Sequence, residues 1–325
     1  MTVKNIVLIS NQRHVDELVK FEARGLISKE DTFLVVVQKS VTSIDQSILN
    51  SFPFTRFVFT SGPGAIVSIL VMRCKLIFRE FSCKNLFISV NDYQTTTLLS
   101  CIRHEVLNIF DDGVGVVRLA EMATRRRLFS ATRNSRFPGL FRLIGVRYEY
   151  RIPQHTPINI YTRFSNLLQP YIPETVSVHE MPSSFENFEV LNSDYFYFLG
   201  QPLIESLKVD EGIVEDIYQR LAQHFKRVYY LPHPSERATL RIAMKYFEES
   251  VEYKVWSDLV RNRLIPSKIA SFFTTVLFDL LAVNRPSLEI KFYLDDRFQN
   301  YISRDVYDLL LYSIPRENLV MLESR

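Results

Sequence analysis

The chain has 325 residues, a formal net charge of +3 and 47% apolar residues. That is room for two domains of about 150 residues each, and too little charge to imply a nucleic-acid partner by itself. With 25 Phe and 16 Tyr beside only 9 Gly, it reads as a compact, core-rich protein rather than a linker-rich one.

In chain order, Asn5–Ile9, Thr32–Val37, Arg56–Thr60, Asn85–Val90 and Val106–Phe110 are predicted strands. His14–Phe21, Ala65–Phe81 and Thr95–Arg103 are the helices between them. A second series follows. Tyr195–Leu199, Arg227–Leu231 and Glu252–Trp256 read as strands; Val214–His224, Ala238–Tyr246 and Thr275–Leu281 read as helices. Such alternation predicts parallel sheets covered by helices on both faces. The polar stretch from Pro173 to Asn192 is the linker candidate, which sets one domain at residues 1–180 and another at 190–325. The N-terminal apolar run is too short for a signal peptide. No stretch reaches the ~18 apolar residues of a membrane span; Ala65 to Met72 comes nearest. Cys74, Cys83 and Cys101 lack the paired spacing of zinc ligands and read as buried free thiols, which suits a reducing cytoplasm.

In open α/β sheets ligands bind beyond the carboxyl ends of the strands, and three motifs fall there. Asp111-Asp112-Gly113 follows the strand ending at Phe110. Adjacent side chains at a strand end point to opposite sides, so one aspartate can face a cleft and take a proton from an attacking hydroxyl while Gly113 permits the turn. An ordinary Asp-Gly turn is the alternative reading. His233 lies between Pro232 and Pro234, which fix the local backbone and so aim an imidazole able to neutralise or protonate a departing phosphate. Ser235 then reads as the cap of the next helix. The other histidines (His14, His104, His155, His179 and His224) have no comparable setting. Thr274-Thr275 opens an apolar helix, where hydroxyls and free N–H groups suit an anion; a plain cap is the alternative. Gly200-Gln201-Pro202-Leu203 ends a strand in a loop that a nucleotide or sugar can approach.

Between Arg118 and Arg151 the arginines Arg118, Arg125, Arg126, Arg127, Arg133, Arg136, Arg142, Arg147 and Arg151 are opposed only by Glu121 and Glu149. Interleaved with Phe and Leu, they suit an anionic membrane surface or a phosphorylated glycolipid; a solvated basic face is the alternative. Asp295-Asp296 reads as a surface turn, not a metal site. No GxGxxG, Walker loop, HExxH or GxSxG occurs.

The ordered set Asp111-Asp112-Gly113, His233-Pro234 and Thr274-Thr275 resembles the acidic, His-Pro and paired-hydroxyl motifs of the bacterial lipooligosaccharide sialyltransferases, glycosyltransferase family 52. Phe87-Ile-Ser-Val-Asn91-Asp92, Phe198-Leu-Gly-Gln-Pro-Leu203 and Tyr229-Tyr-Leu-Pro-His-Pro234 are similar to the family's flanking strands. The family commonly has Ser-Ser where Thr274-Thr275 stand here, and the arginine-rich insert is heavier than usual. The resemblance implies two Rossmann-like domains facing a cleft (the GT-B architecture), with the acceptor on the N-terminal domain and the nucleotide sugar on the C-terminal one. It implies metal-free, inverting transfer of sialic acid from CMP-sialic acid to a terminal sugar such as galactose on a lipooligosaccharide or capsule glycan, with no cofactor beyond that donor. Asp111, Asp112 and His233 would be catalytic. Gly113, Gly200, Gln201, Pro202, Pro234, Thr274 and Thr275 would hold the donor. Asp210 or Glu211 is the alternative base. A cytoplasmic enzyme peripheral to the inner membrane follows, and a homodimer is compatible with it. The competing readings are a transferase using CMP-Kdo or another CMP-nonulosonate, and a non-catalytic protein that binds polyanions or membranes on a transferase scaffold.

Overall fold

The computed structural model describes residues 2–38, 46–59, 67, 70–72, 74, 81–89, 93–110, 122–129, 142–143, 145–168, 172–225, 227–247, 253–302 and 304–322. The chain divides into two compact units, Met1–Met181 and Pro182–Arg325. Each is built on a parallel sheet carrying helices, the Rossmann-like α/β class expected from the alternating pattern.

In the first unit β1 (Thr2–Ile9), β2 (Thr32–Gln38), β3 (Phe54–Phe59), β4 (Ser82–Ile88), β5 (Arg103–Phe110), β8 (Ile158–Thr162) and β9 (Val176–Glu180) form one sheet in the order β3-β2-β1-β4-β5-β8-β9. Ile6, Val7, Leu8 and Ile9 are all buried, as a parallel sheet covered on both faces requires. The helices α1 (Gln12–Ala23), α2 (Gln46–Asn50), α3 (Tyr93–Leu99) and α4 (Ser165–Leu168) connect or flank these strands. Helix α1 starts on Asn11, whose side chain accepts from the His14 N–H, and buries Val15, Leu18 and Phe21 along one face. The antiparallel pair β6 (Arg127–Phe129) and β7 (Glu149–Arg151) forms a sheet separate from the main one.

A polar row crosses three neighbouring strands. Asn5 pairs in register with both Thr32 and Asn85. It donates to Thr32 Oγ1 at 3.3 Å and accepts from Asn85 Nδ2 at 3.0 Å. On the adjoining pair, Asn159 Nδ2 donates to Asn108 Oδ1 at 2.9 Å across a direct β5–β8 register pair.

The second unit has β11 (Phe196–Leu199), β12 (Val228–Leu231), β14 (Lys268–Ser271), β15 (Glu289–Leu294) and β16 (Leu319–Met321) in the parallel order β12-β11-β14-β15-β16. A short pair, β10 (Glu189–Leu191) with β13 (Leu264–Pro266), lies beside it. The helices are α5 (Glu211–Gln223), α6 (Ala238–Ala243), α7 (Tyr253–Arg261), α8 (Thr275–Val283) and α9 (Arg304–Ser313). Helix α5 is capped by Asp210 and buries Val214, Ile217, Tyr218 and Leu221, the i, i+3, i+4, i+7 stripe of a core-facing helix. Its stripe meets an aromatic core of Phe198, Tyr230, Phe247 and Phe272.

Several expectations change. Glu252–Trp256 is not a strand: its described residues begin α7. The alternation of Val251, Tyr253 and Val255 reads as period two, but Tyr253, Trp256 and Val260 follow helical spacing, and Trp256 is buried while Val255 is exposed. The sheet position falls to Lys268–Ser271. The stretch from Pro173 to Asn192 is not a plain linker. It contains β9, an edge strand of the first sheet, and β10, with the unit boundary after Met181 between them. Short, half-exposed edge strands carry too few apolar residues to stand out from a loop. Asp295 is not on a surface turn either: it is fully buried and holds the Arg297 guanidinium through two hydrogen bonds of 2.7 and 2.6 Å. Only Cys83 is a buried thiol, pushed up to about 12 by burial; Cys101 is half-buried and Cys74 exposed.

The polar row generates a stability prediction. Asn5→Val strips Asn85 and Thr32 of a shared partner inside the sheet. It should destabilise the protein by about 1–3 kcal/mol, the cost of leaving buried polar groups unpaired, read as a lower urea midpoint by circular dichroism. An unchanged midpoint would show the row to be dispensable.

Candidate active site

The second unit gathers its predicted residues at one edge. Leu199 pairs in register with Leu231 and with Ser271, so the loops that follow β11, β12 and β14 leave the sheet at one level. Those loops carry Gly200-Gln201-Pro202, Pro232-His233-Pro234 and Phe272 to Thr275. They are tied directly. Gly200 N–H donates to Leu231 O at 2.9 Å, Phe273 N–H donates to Gln201 Oε1 at 3.0 Å, and the buried Ser271 hydroxyl donates to Leu199 O at 2.5 Å. The order β12-β11-β14 makes β11 the point from which connections run to opposite sides, the crevice where α/β sheets take ligands.

His233 is exposed, and its turn holds it from two sides. Ser235 N–H donates to Nδ1 at 3.1 Å. An Nδ1 that accepts leaves the ring proton of the neutral form on Nε2. Partial burial pushes the imidazole below its ordinary range, against the raising influence of Glu205. The backbone N–H of His233 donates to Glu236 Oε2 at 2.9 Å, and Glu236 N–H closes the turn onto His233 O at 2.9 Å. Ser235 is therefore not the helix cap that the sequence suggested. Helix α6 begins at Ala238, and its first turn is satisfied by Glu205 from the π-helical turn Leu203–Leu207. Arg237 N–H donates to Oε1 at 2.7 Å and the Thr239 hydroxyl donates to Oε2 at 2.7 Å. Burial opposes the charge on Glu205, but these bonds outweigh it and bring the carboxyl down to about 2.

Glu236 is the residue that sequence reasoning passed over. Its carboxylate is buried, accepts from Tyr230 Oη at 2.9 Å, and connects through Tyr230 to Tyr218 Oη at 2.8 Å. Burial pushes it up to about 7 against the hydrogen bonds from Tyr230 and the His233 N–H. Gly200 lies against the same group: a Cβ there would stand 2.5 Å from Tyr230 Oη and 2.6 Å from Glu236 Oε2. Only the spacing His233-x-x-Glu236, a turn closed by its own side chain, hinted at this.

Thr274 occupies the cap position of α8 with its backbone extended, yet its hydroxyl makes no capping bond. Thr275 is the first residue of that helix. Asp210 is committed to its own helix, accepting from Gly212 N–H at 2.8 Å, and the exposed Glu211 stands 3.7 Å from Arg241.

In the first unit, Asp111, Asp112 and Gly113 follow directly on Phe110 at the carboxyl end of β5 and lie outside the described residues. The same edge holds a histidine setting that the sequence did not reveal. His14 is fully buried, accepts at Nδ1 from Ser10 N–H at 2.9 Å, lies 3.0 Å from the Ser89 hydroxyl and meets Phe110 edge-on. His179 stacks on Tyr161, and half-buried His104 is pushed down by burial. Of the arginine-rich stretch, Arg118, Arg133 and Arg136 lie outside the described residues. Arg126 is structural, donating to Pro153 O at 2.6 Å and Thr156 O at 3.1 Å, while Arg127 and Arg151 share Glu149. Arg125, Arg142 and Arg147 are exposed. A depression of about 490 Å³ lined by Lys4, Lys84, Arg103 and His104 sits at the amino ends of β1, β4 and β5, the wrong edge for an α/β ligand site. Among the described residues no group of three or more His, Cys, Asp or Glu is placed to hold a metal, and no helix is long and apolar enough to cross a membrane.

Residues 181–292 match the family model of glycosyltransferase family 52. A CMP-N-acetylneuraminate:beta-galactoside alpha-2,3-sialyltransferase of Pasteurella multocida (strain Pm70) is 29% identical over 212 residues, which are 62% of this chain and 63% of that protein. The match thus spans less than two thirds of that relative's length. Among solved structures, the GT-B domain of a sialyltransferase from Photobacterium damselae is similar at 11% identity and a TM-score of 0.47, covering 99% of this chain and 100% of that one. A UDP-GlcNAc 2-epimerase from Methanocaldococcus jannaschii has 11% identity and a TM-score of 0.40, covering 96% and 91%.

The crowding at Gly200 is testable. Gly200→Ala forces apart the buried Tyr230–Glu236 bond and should cost about 1–3 kcal/mol, as overpacking does. Calorimetry should show a lower Tm, and Tyr230→Phe, which removes the nearest contacting atom, should recover part of it in the double variant. A Tm equal to wild type would mean the loop yields freely.

Proposed function

Starting from a chain related to glycosyltransferase family 52 through residues 181–292, we propose that it is a glycosyltransferase that moves sialic acid from CMP-sialic acid to a terminal galactose of a bacterial surface glycan. The observation that carries this is the convergence of the β11, β12 and β14 loops at one sheet edge, joined by the Phe273–Gln201 and Gly200–Leu231 bonds, inside the segment that matches the family. The Pasteurella relative is a CMP-N-acetylneuraminate:beta-galactoside sialyltransferase, and the donor and galactoside acceptor proposed here follow that relative.

In this reading the second unit holds the donor. The single phosphate of CMP meets the Nε2–H of His233 on one side and Thr274, Thr275 and the N-terminus of α8 on the other, where unsatisfied N–H groups favour negative charge. The Gly200-Gln201-Pro202 loop and Pro234 shape the floor. As the glycosidic bond to CMP breaks, negative charge grows on the phosphate. Donors already in place stabilise it without reorganising, and His233 in its imidazolium form can also deliver a proton. Asp111 or Asp112 of the first unit takes the acceptor hydroxyl's proton as that oxygen attacks the anomeric carbon from the opposite side, giving inversion. Asp210 and Glu211 are less suited, since Asp210 is engaged in capping α5. One phosphate asks for less counter-charge than two, so transfer is proposed to need no metal. The exposed Arg125, Arg142 and Arg147 suit an anionic bilayer that presents a glycolipid acceptor.

His233→Ala should lower turnover by about 10²-fold or more with the fold intact, in an assay of CMP release from CMP-sialic acid with a galactoside acceptor. Near wild-type turnover would remove His233 from the chemistry. The same assay in excess EDTA should run at the untreated rate; a loss restored by Mg²⁺ or Mn²⁺ would overturn the metal-free reading.

Asp111→Asn or Asp112→Asn should abolish transfer while CMP still binds by calorimetry. If both variants stay active and Asp210→Asn or Glu211→Gln is dead, the base is in that pair instead.

A further inference from the structure

We propose that Glu236 is a positioning residue for His233: its carboxylate, buried between Tyr230 and the loop after β11, grips the His233 backbone, and its negative charge sets the strength of that grip. The inference rests on the transferase reading given above and adds a residue that the three motifs do not include.

The geometry carries the assignment. One carboxylate oxygen accepts the His233 N–H at 2.9 Å, and the other accepts Tyr230 Oη at 2.9 Å. The imidazole itself is fixed by Ser235 N–H, which belongs to the turn that Glu236 closes. Backbone and ring of His233 are therefore both referred to one buried group. Gly200 comes so close that no other side chain fits between, so the β11 loop shares the same support. A hydrogen bond to an ionised acceptor is roughly twice as strong as a neutral one, so the charged form holds the turn more firmly than the neutral form.

The neutral form is not a broken form, and this separates positioning from mere structure. A protonated Glu236 can donate to Tyr230, which turns to donate to Tyr218, while the remaining oxygen still accepts from His233. A glutamine at 236 reproduces that arrangement: oxygen to His233, amide to Tyr230, no charge. Glu236→Gln thus keeps every bond and removes only the ionisation. The groups facing Glu236 from each packed element are Tyr230 of β12, Tyr218 of α5, Glu205 of the π-helical turn and His233 of its own loop. Burial pushes both tyrosines well above their ordinary range, so they stay neutral, and Glu205 at about 2 stays charged. Between pH 5.5 and 8.5, on the order of a unit and a half either side of the value near 7 at which Glu236 itself changes, only Glu236 and His233 are left to titrate.

The test uses the full chain and two readouts. Wild-type turnover of CMP-sialic acid should fall about tenfold as pH drops through 7, from loss of the charge-assisted bond. Glu236→Gln should lose the fall through 7, run at the lower rate above it and keep only the dependence that the His233 ring itself imposes, with its Tm and CMP affinity close to wild type. Tyr230→Phe, which takes a donor from the carboxylate and so favours its protonated form, should move the fall toward higher pH. Independently of activity, the ¹⁵N resonances of the His233 ring should show a step near pH 7 beside the ring's own titration, and Glu236→Gln should remove it. A Glu236→Gln profile that overlays wild type, or ring resonances with no second step, would overturn the proposal. A wild-type chain that turns over no CMP-sugar yet shows the second step would sink the transferase reading and leave the coupling of Glu236 to His233 standing.

Discussion

A carboxylate with almost no access to water, placed where three loops leave a parallel sheet, is the constraint on which the second unit's working edge depends. Burying an ionised group is costly unless hydrogen bonds replace its hydration. Glu236 meets part of that cost with one tyrosine hydroxyl and one backbone N–H. The requirement propagates outward. Tyr230 must keep its hydroxyl within the aromatic core, Tyr218 must meet it from α5, and Gly200 must carry no side chain. Phe198, Phe247 and Phe272 pack around this chain of hydroxyls, so the hydrophobic core and the polar support of the site are one structure.

The same economy governs α6. Its first turn is capped not by a neighbour in sequence but by Glu205, thirty-two residues back from Arg237. Asp210 caps α5 a few residues further along, and Asp295, fully buried, organises Arg297. Glu205, Asp210, Glu236 and Asp295 of this unit thus serve as fixed acceptors for backbone N–H groups.

Much of the fold was legible because buried parallel strands are continuous apolar runs. Ile6 to Ile9, Leu34 to Val37 and Val106 to Phe110 announced themselves in that way, as did the turn residues after Leu199 and Leu231. Edge strands were not legible: Val176–Glu180 and Leu319–Met321 are short and half-exposed, and their composition is that of a loop. Glu252–Trp256 misled because Tyr253 and Val255 alternate with charged Glu252 and Lys254, which imitates a strand when the window is five residues wide. Of the candidate site, His233 and Thr274-Thr275 were singled out through their immediate neighbours. Glu236 was not, since its meaning lies in Gly200, Tyr230 and Tyr218, which come from other elements. His14 was hidden for the same reason, its partners Ser89 and Phe110 being seventy-five or more residues away.

Uniformly apolar strands have a weakness that the first unit resolves. Sliding β1 by two residues against β2 or β4 would bury nearly the same area, so hydrophobicity alone does not distinguish one alignment from the next. Asn5 does. It stands opposite Thr32 on one side and Asn85 on the other, and both bonds form in a single alignment. Asn108 opposite Asn159 marks the next boundary along the sheet. Any shifted pairing would strand amides in hydrocarbon, which gives this sheet an internal check on assembly errors while it is still forming.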